Sequence, residues 1–260
     1  LMKDNITGLY TIPLGTITIQ ETKAPEGYLL NDTVYVANTT LGTGNSVVIT
    51  NLPNSDTYAA KEQVIRGDFS FIKTEEDGSP MAGIPFSITS KTTGESHVIV
   101  SDSDGLVSTR AAAHSQNTNK GESAEDGVWF GLLSDGAVST PDDSLGALPY
   151  DTYVIEELPC KANYGKDLLQ FTVVINTAGQ FTELGQIENL EISLQTTTLD
   201  QETGTNTVRP RGNTAIVDTV AYENLTPGRT YRLEGLLMDH ETGEAFLDAD
   251  GNKVTTSQEF

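Results

Sequence analysis

Three polar side chains of this sequence sit where strand periodicity would otherwise place apolar ones. Alternate residues of a strand share a face. In DFSFIK (68–73), Phe69, Phe71 and Lys73 therefore fall together. In YVIEE (153–157), Tyr153, Ile155 and Glu157 do so, while Glu156 points the other way. Ile187 and Asn189 share a face in the same manner. Each apolar face thus ends in a Lys, a Glu or an Asn. An unpaired buried charge costs roughly several kcal/mol, so these groups must meet one another or reach a rim. Brought together, they can react. Desolvation lowers the pKa of a lysine and raises that of a carboxyl group. A neutral amine is a nucleophile, and a neutral carboxylic acid can polarise an amide. Held in contact, the amine can attack the asparagine carboxamide and expel ammonia, with proximity supplying the acceleration for a reaction that runs once. The product is a Lys–Asn isopeptide bond between strands.

The elements that must position these residues are strands, and the arrangement occurs twice. Thr, Val and Ile are frequent, and Asp-Gly turns recur at 77–78, 104–105, 135–136 and 250–251. This pattern predicts an all-β protein built of tandem sandwiches of immunoglobulin-like or prealbumin-like type. ITIQETKAPEGY (17–28) aligns with VIEELPCKANY (154–164): Glu21 with Glu157 and Tyr28 with Tyr164, both pairs 136 residues apart. Downstream, VVITN (47–51) resembles GQIEN (185–189), and Asn51 falls on Asn189. In the first copy Ile17, Ile19 and Glu21 align on one face, as do Val47, Ile49 and Asn51. That copy has no lysine-bearing strand before it, so the chain is expected to begin inside a domain. The expected divisions are 1–60, the C-terminal part of one sandwich; 61–191, a complete sandwich with an insertion at 111–145; and 192–260, the N-terminal part of a third. Trp129 and Phe130 are expected to anchor the core after a long loop at 111–127.

In the third segment, Ile192, Leu194, Thr196 and Thr198 share a face, and so do Ile216, Asp218, Val220 and Tyr222. An inward threonine here takes the place of the inward lysine.

Composition excludes several classes. With 15 Lys+Arg against 37 Asp+Glu, the net charge is −22, which repels nucleic-acid phosphates. No apolar run approaches the roughly 18 residues of a membrane span, and no direct membrane contact is expected. One cysteine, Cys160, excludes an internal disulfide framework, and a buried small residue is its expected role. His97, His114 and His240 lie far apart and show no ligand spacing. Asp248–Asn252 imitates the start of a calcium loop, but Lys253 stands where the sixth-position glycine is needed, so a hairpin turn is expected. Neither a cofactor nor a metal is anticipated. Arg66-Gly67-Asp68 has the composition of an integrin-binding tripeptide, at the point where a linker enters a strand.

The motifs resemble a known group. ETKAPEGY (21–28) resembles the E-box of the B-type (Cna-B, SpaA-like) domains of collagen-binding adhesins and of pilin shafts from Gram-positive bacteria. GDFSFIKTEEDGSPMAGIPFSI (67–88) is similar to the first strands of such a domain. GALPYDTYVIEEL (146–158) and IVDTVAYENLTPGRTYRLEGLLMD (216–239) resemble VaFE-repeat surface-anchored proteins. EELPCKANY departs from the E-box pattern by displacing Pro159 and lacking Pro-Glu-Gly. The resemblance implies Lys73 bonding Asn189 with Glu157 as promoting acid, and Glu21 and Asn51 as counterparts in the first copy. It also implies a Thr–Gln ester in the third segment, from Thr196 or Thr198 with Asp218 assisting and the glutamine lying beyond Phe260.

The resulting expectation is a stalk or pilus-shaft segment of a secreted, cell-wall-anchored adhesin, its anchor outside these residues. Its expected partners are neighbouring domains or subunits of the same surface protein or pilus. A second reading is an adhesin module that recognises a host matrix protein or glycan through the 111–145 insertion. Enzymatic action on an external substrate is not expected, because the acids sit on core faces.

Overall fold

The computed structural model describes residues 2–44, 46–50, 62–110, 119–207 and 214–260. Among these, every regular element is a strand, so the protein is all-β. The chain divides into two compact units, Leu1–Leu190 and Glu191–Phe260.

The first unit opens with a ribbon of β1 (Met2–Lys3) and β2 (Tyr10–Thr11). An antiparallel sheet follows, made of β3 (Gly15–Ile19), β4 (Tyr35–Leu41) and β5 (Val47–Thr50) in that order. Next comes a two-sheet sandwich of eight strands: β6 (Arg66–Thr74), β7 (Pro85–Ser90), β8 (Ser96–Val100), β9 (Leu106–Ser108), β10 (Leu148–Pro149), β11 (Asp151–Glu157), β12 (Gln170–Ile175) and β13 (Gln180–Glu188). One sheet runs β12-β11-β7-β8. In the other, β13 lies parallel along one edge of β6, while β9 and β10 share its opposite edge. Phe69, Phe71, Phe86, Ile88, Tyr153 and Ile155 from the two sheets meet in one continuous apolar core.

β11 alternates as its sequence requires, with Tyr153, Ile155 and Glu157 buried and the residues between them half-exposed. β6 does not alternate. Arg66, Asp68 and Ser70 are buried alongside Phe69, Phe71 and Lys73. The reason is the insertion, part of which folds back over the start of this strand. The Arg66 guanidinium stacks on the Trp129 ring at 3.7 Å. It also donates to the carbonyls of Phe130, Gly146 and Ala147 and to Ser139 Oγ. Burial draws its pKa down to about 10, while the charges of Glu95 and Asp68 hold it up. Arg66-Gly67-Asp68 is therefore a buried strand start, not a presented tripeptide. Trp129 and Phe130 are core residues, as their sequence position suggested.

The parallel β6–β13 pairing contains one irregularity that matters. The register shifts by one residue between Glu183 and Gln186, at Gly185, whose φ of +77° suits glycine. Because facing repeats every two residues, one extra residue exchanges the faces downstream. Ile187 thereby lies opposite Lys73, and Asn189, two residues on, follows it onto the core face.

The second unit contains two antiparallel ribbons, β14 (Ser193–Asp200) with β15 (Ile216–Glu223), and β16 (Arg232–Leu236) with β17 (Thr255–Glu259). Thr196 and Thr198 were expected to point inward; both are exposed. Alternation assigns a residue to a face, but a face is buried only when another layer covers it, and among the described residues the β14–β15 ribbon is two strands alone.

Candidate cross-linking site

Lys73, Glu157 and Asn189 each have no solvent exposure. They come from three elements. Lys73 is the penultimate residue of β6, Glu157 ends β11, and Asn189 follows β13 directly. The Asn189 amide donates to the Thr74 carbonyl at 3.1 Å, so the β6–β13 ladder continues past the last assigned residue. Phe86 lies opposite Glu157 on β7, and Phe71 precedes Lys73 on its face, so apolar rings flank the polar group.

The lysine amine is held by two main-chain carbonyls. Lys73 Nζ donates to Ile187 O at 3.1 Å and to Thr74 O at 3.2 Å. Burial lowers its pKa from the ordinary 10.5, against the opposing pull of Glu157, Asp167 and Glu75. A neutral amine has two hydrogens. In that form the two carbonyl acceptors would take both and leave the nitrogen lone pair free.

The asparagine is fixed from the other side. Asn189 Nδ2 donates to Glu157 Oε2 at 3.0 Å and to the main-chain carbonyl of Asp167. A main-chain carbonyl can only accept, so this contact settles which end of the carboxamide faces Asp167. The Asp167 carboxylate receives Leu190 N at 2.7 Å, pinning the chain just after Asn189. Asn189 Oδ1 is buried and has no hydrogen-bond partner, an exception of the kind that calls for an explanation. Glu157 has its second oxygen engaged as well: Oε1 accepts from Asn163 Nδ2 at 2.8 Å.

The first-copy residues are arranged otherwise. Glu21 Oε2 accepts from Asn31 N at 2.7 Å. Its other neighbour is Glu62, whose pKa is raised by partial burial and by the charge and hydrogen bond of Glu21. Asn51 and His114 lie outside the described residues. Tyr28 and Tyr164, equivalent in the repeat, also diverge. Tyr28 donates to Asp135 at 2.9 Å, whereas Tyr164 is 90% exposed. In the second unit, Thr198 faces Asp218 directly across the ribbon and donates to its carboxylate at 2.9 Å, whereas Thr196 lies opposite Val220.

Among the described residues, no group of three or more His, Cys, Asp or Glu side chains is placed to hold a metal. The Asp248 carboxylate accepts from the amides of Asp250 and Asn252, which makes a turn of the loop. Cys160 is half-buried against the sandwich core. Two residues of the site escaped the sequence reading. Asn163 could have been found by extending the offset that pairs Glu21 with Glu157, which sets it on Gly27. Asp167, which meets Asn189 and Leu190 through both its main-chain carbonyl and its carboxylate, carries no such signal.

A search of curated proteins found no match. Solved structures similar to the chain include the Bacillus anthracis TIE protein, at 13% identity and a TM-score of 0.40, covering 95% of this chain and 40% of that one. The C-terminal fragment of the pilus adhesin SpaC from Lactobacillus rhamnosus GG matches at 15% identity and a TM-score of 0.38, over 71% of this chain and 80% of that one. BcpA, the major pilin subunit of Bacillus cereus, matches at 16% identity and a TM-score of 0.31, over 66% of this chain and 41% of that one. The chain thus spans about two fifths of the TIE protein and of BcpA. Residues 192–260, which carry the IVDTVAY motif and the Thr198–Asp218 pair, match the family model of the T-Q ester bond containing domain.

Proposed function

We propose that this chain is a stalk or shaft segment of a Gram-positive surface protein, pilus or adhesin, and that its middle domain closes itself with a Lys73–Asn189 isopeptide bond. The supporting observation is the meeting of three wholly buried polar side chains at one end of an apolar core. Lys73 Nζ attacks Asn189 Cγ. The Nζ–Cγ bond forms, the Cγ–Nδ2 bond breaks, and ammonia leaves. One proton passes from Nζ to Nδ2, with Glu157 as its carrier; the hydrogen bond from Nδ2 to Glu157 Oε2 supports this role. Reactants held in one geometry gain the large effective concentration of an intramolecular reaction. The product replaces a desolvated amine with a neutral amide. The reaction consumes its own side chains, so the chain has no turnover and no external substrate.

In the second unit the corresponding chemistry is a Thr–Gln ester, with Thr198 as nucleophile and Asp218 as its acid–base partner. The match to the ester-bond domain and the 2.9 Å contact support this assignment over Thr196. Partners are neighbouring domains or subunits of the same surface assembly, outside the cell. The alternative of a ligand-binding module would rest on the largely exposed stretch at 134–144, since Val128, Trp129 and Phe130 face inward.

Intact mass of the folded protein is the test. The chain should be lighter than its sequence by one ammonia for the Lys–Asn bond, and a tryptic digest should contain a branched peptide joining the Lys73 and Asn189 segments. Full sequence mass would overturn the reading.

A further inference from the structure

We infer that Asn163 is a positioning residue for this cross-link: its side-chain amide reserves one oxygen of Glu157 as an acceptor, so that the proton in transit is favoured on the other. The inference rests on the isopeptide reading above. Asn163 is buried, and its side chain bonds to Glu157, Leu158 and Cys160, all within six residues. Nδ2 donates to Glu157 Oε1 at 2.8 Å and to Leu158 O at 2.9 Å, and Oδ1 accepts from Cys160 N at 2.7 Å. The two main-chain contacts fix which end of the carboxamide is which, because Cys160 N can only donate and Leu158 O can only accept.

The consequence concerns the proton. A carboxyl group that carries a proton has two inequivalent oxygens. An N–H pointing at Oε1 is compatible with a bare oxygen there and incompatible with an O–H directed along the same line. Oε2 also receives N–H groups, from Asn189 Nδ2 at 3.0 Å and from Leu169 N at 3.4 Å, but Nδ2 gains a lone pair as Cγ becomes tetrahedral and can then accept from Oε2, whereas the Asn163 N–H on Oε1 persists throughout. The proton that Glu157 takes from Nζ is thereby favoured on Oε2. Oε2 is the oxygen 3.0 Å from Asn189 Nδ2, the atom that must be protonated to leave as ammonia. Asn163 thus removes the unproductive half of the carboxyl group's choices and fixes its rotation.

The internal repeat supports a specific role. The position equivalent to Asn163 is Gly27, which has no side chain, and Glu21 there receives a main-chain amide instead. The sequence that departs from the E-box pattern in the second copy thus introduces the donor, a substitution that a loop serving only as a connection would not require.

The test uses Asn163→Asp and Asn163→Ala in the full chain, synthesised into urea, refolded by dilution between pH 4 and pH 9, and followed by intact mass on the protease-resistant fraction, so that only folded molecules are read. Asn163→Asp keeps the acceptor for Cys160 N and replaces the donor by a carboxyl group that competes for the proton on the Oε1 side. Ammonia loss should slow by about tenfold or more near neutrality in both variants. As pH falls through the carboxylate range, Asn163→Asp should regain rate relative to wild type, because the introduced carboxyl group becomes an O–H donor to Oε1; Asn163→Ala should not. Wild-type rates in both variants would overturn the proposal. So would an equal deficit at every pH, which a purely structural role predicts. A wild-type chain that never loses ammonia would instead refute the isopeptide reading itself.

Discussion

The middle sandwich and the β14–β15 ribbon each bring a nucleophile beside a carboxyl group, yet they place the pair in opposite surroundings. Lys73 and Glu157 are sealed between two sheets, with every polar contact supplied by the protein. Thr198 and Asp218 meet at hydrogen-bond distance on an exposed two-stranded ribbon, whereas Lys73 Nζ donates to main-chain carbonyls and feels Glu157 through its charge. Adjacency alone is therefore common to both. What differs is the cost of leaving the groups unreacted. In the sandwich, a buried amine and a carboxamide oxygen without a partner raise the energy of the unjoined state. On the ribbon, water solvates both groups and removes that incentive. The comparison implies that covering the ribbon, not merely forming it, is what would activate the threonine.

The largest effect expected from breaking this contrast comes from Glu157→Ala. The variant should fold and keep its full mass, and it should lose thermal and protease resistance. By analogy with a disulfide closing a loop of about 100 residues, the missing cross-link is worth roughly 4–5 kcal/mol. Thermal unfolding with intact mass checks this. Continued ammonia loss would assign the proton carrier elsewhere; Glu156 is poorly placed for it, since it hydrogen-bonds Gln170 on the outer face. Next in size is Arg66→Ala, which asks whether burial of a cation without a reaction partner is equally consequential. It should destabilise the middle domain by about 3 kcal/mol without affecting ammonia loss, because three carbonyls lose a charged donor. Chemical denaturation reads it.

A smaller effect is expected from pH in Asn189→Ala, which leaves Lys73 free but still buried. Its folded pKa lies below the ordinary 10.5, so the unfolded state binds more protons between the two values. Stability should therefore rise with pH through that window. The penalty is fully present below the folded pKa and gone above about 10.5. The joined wild type, whose amide does not titrate, should lack the part of the rise that belongs to Lys73, while Arg66, lowered to about 10, contributes alike to both proteins. Denaturation midpoints at several alkaline pH values distinguish the two. The smallest change is expected on the ribbon, where Thr198→Val and Thr196→Val should each alter stability by no more than about 0.5 kcal/mol. Where the ester forms, Thr198→Val and not Thr196→Val should abolish its ammonia loss.

Much of this arrangement was legible because strand alternation is rigid. Phe69, Phe71 and Lys73, like Tyr153, Ile155 and Glu157, are placed by counting in twos, and the repeat supplied Asn189. Counting in twos across β13 reached the right face only because the count began after Gly185; started at Thr182, which lies opposite Phe69, it would have passed through Gln186 and Glu188 and missed Asn189. Arg66 and Asp68 were unreadable for another reason. Their partners lie far along the chain, Trp129, Phe130 and Ser139 of the insertion against Arg66, and Thr109 and Ala147 on either side of it against Asp68, and local alternation has no information about them. The threonines of β14 show the converse limit, since a face can be assigned without anything to cover it.

The parallel course of β6 and β13 has a mechanical consequence. Parallel first and last strands put the sandwich's entry, at Arg66, and its exit, after Asn189, at opposite ends. With Lys73 joined to Asn189, a pull on the chain travels along β6, crosses one covalent bond and leaves. That route is roughly 25 Å of already extended strand, at about 3.3 Å per residue. Residues 74–188 hang on it as a closed ring that carries no load. The domain would then transmit force as an inextensible link, with its core off the line of stress.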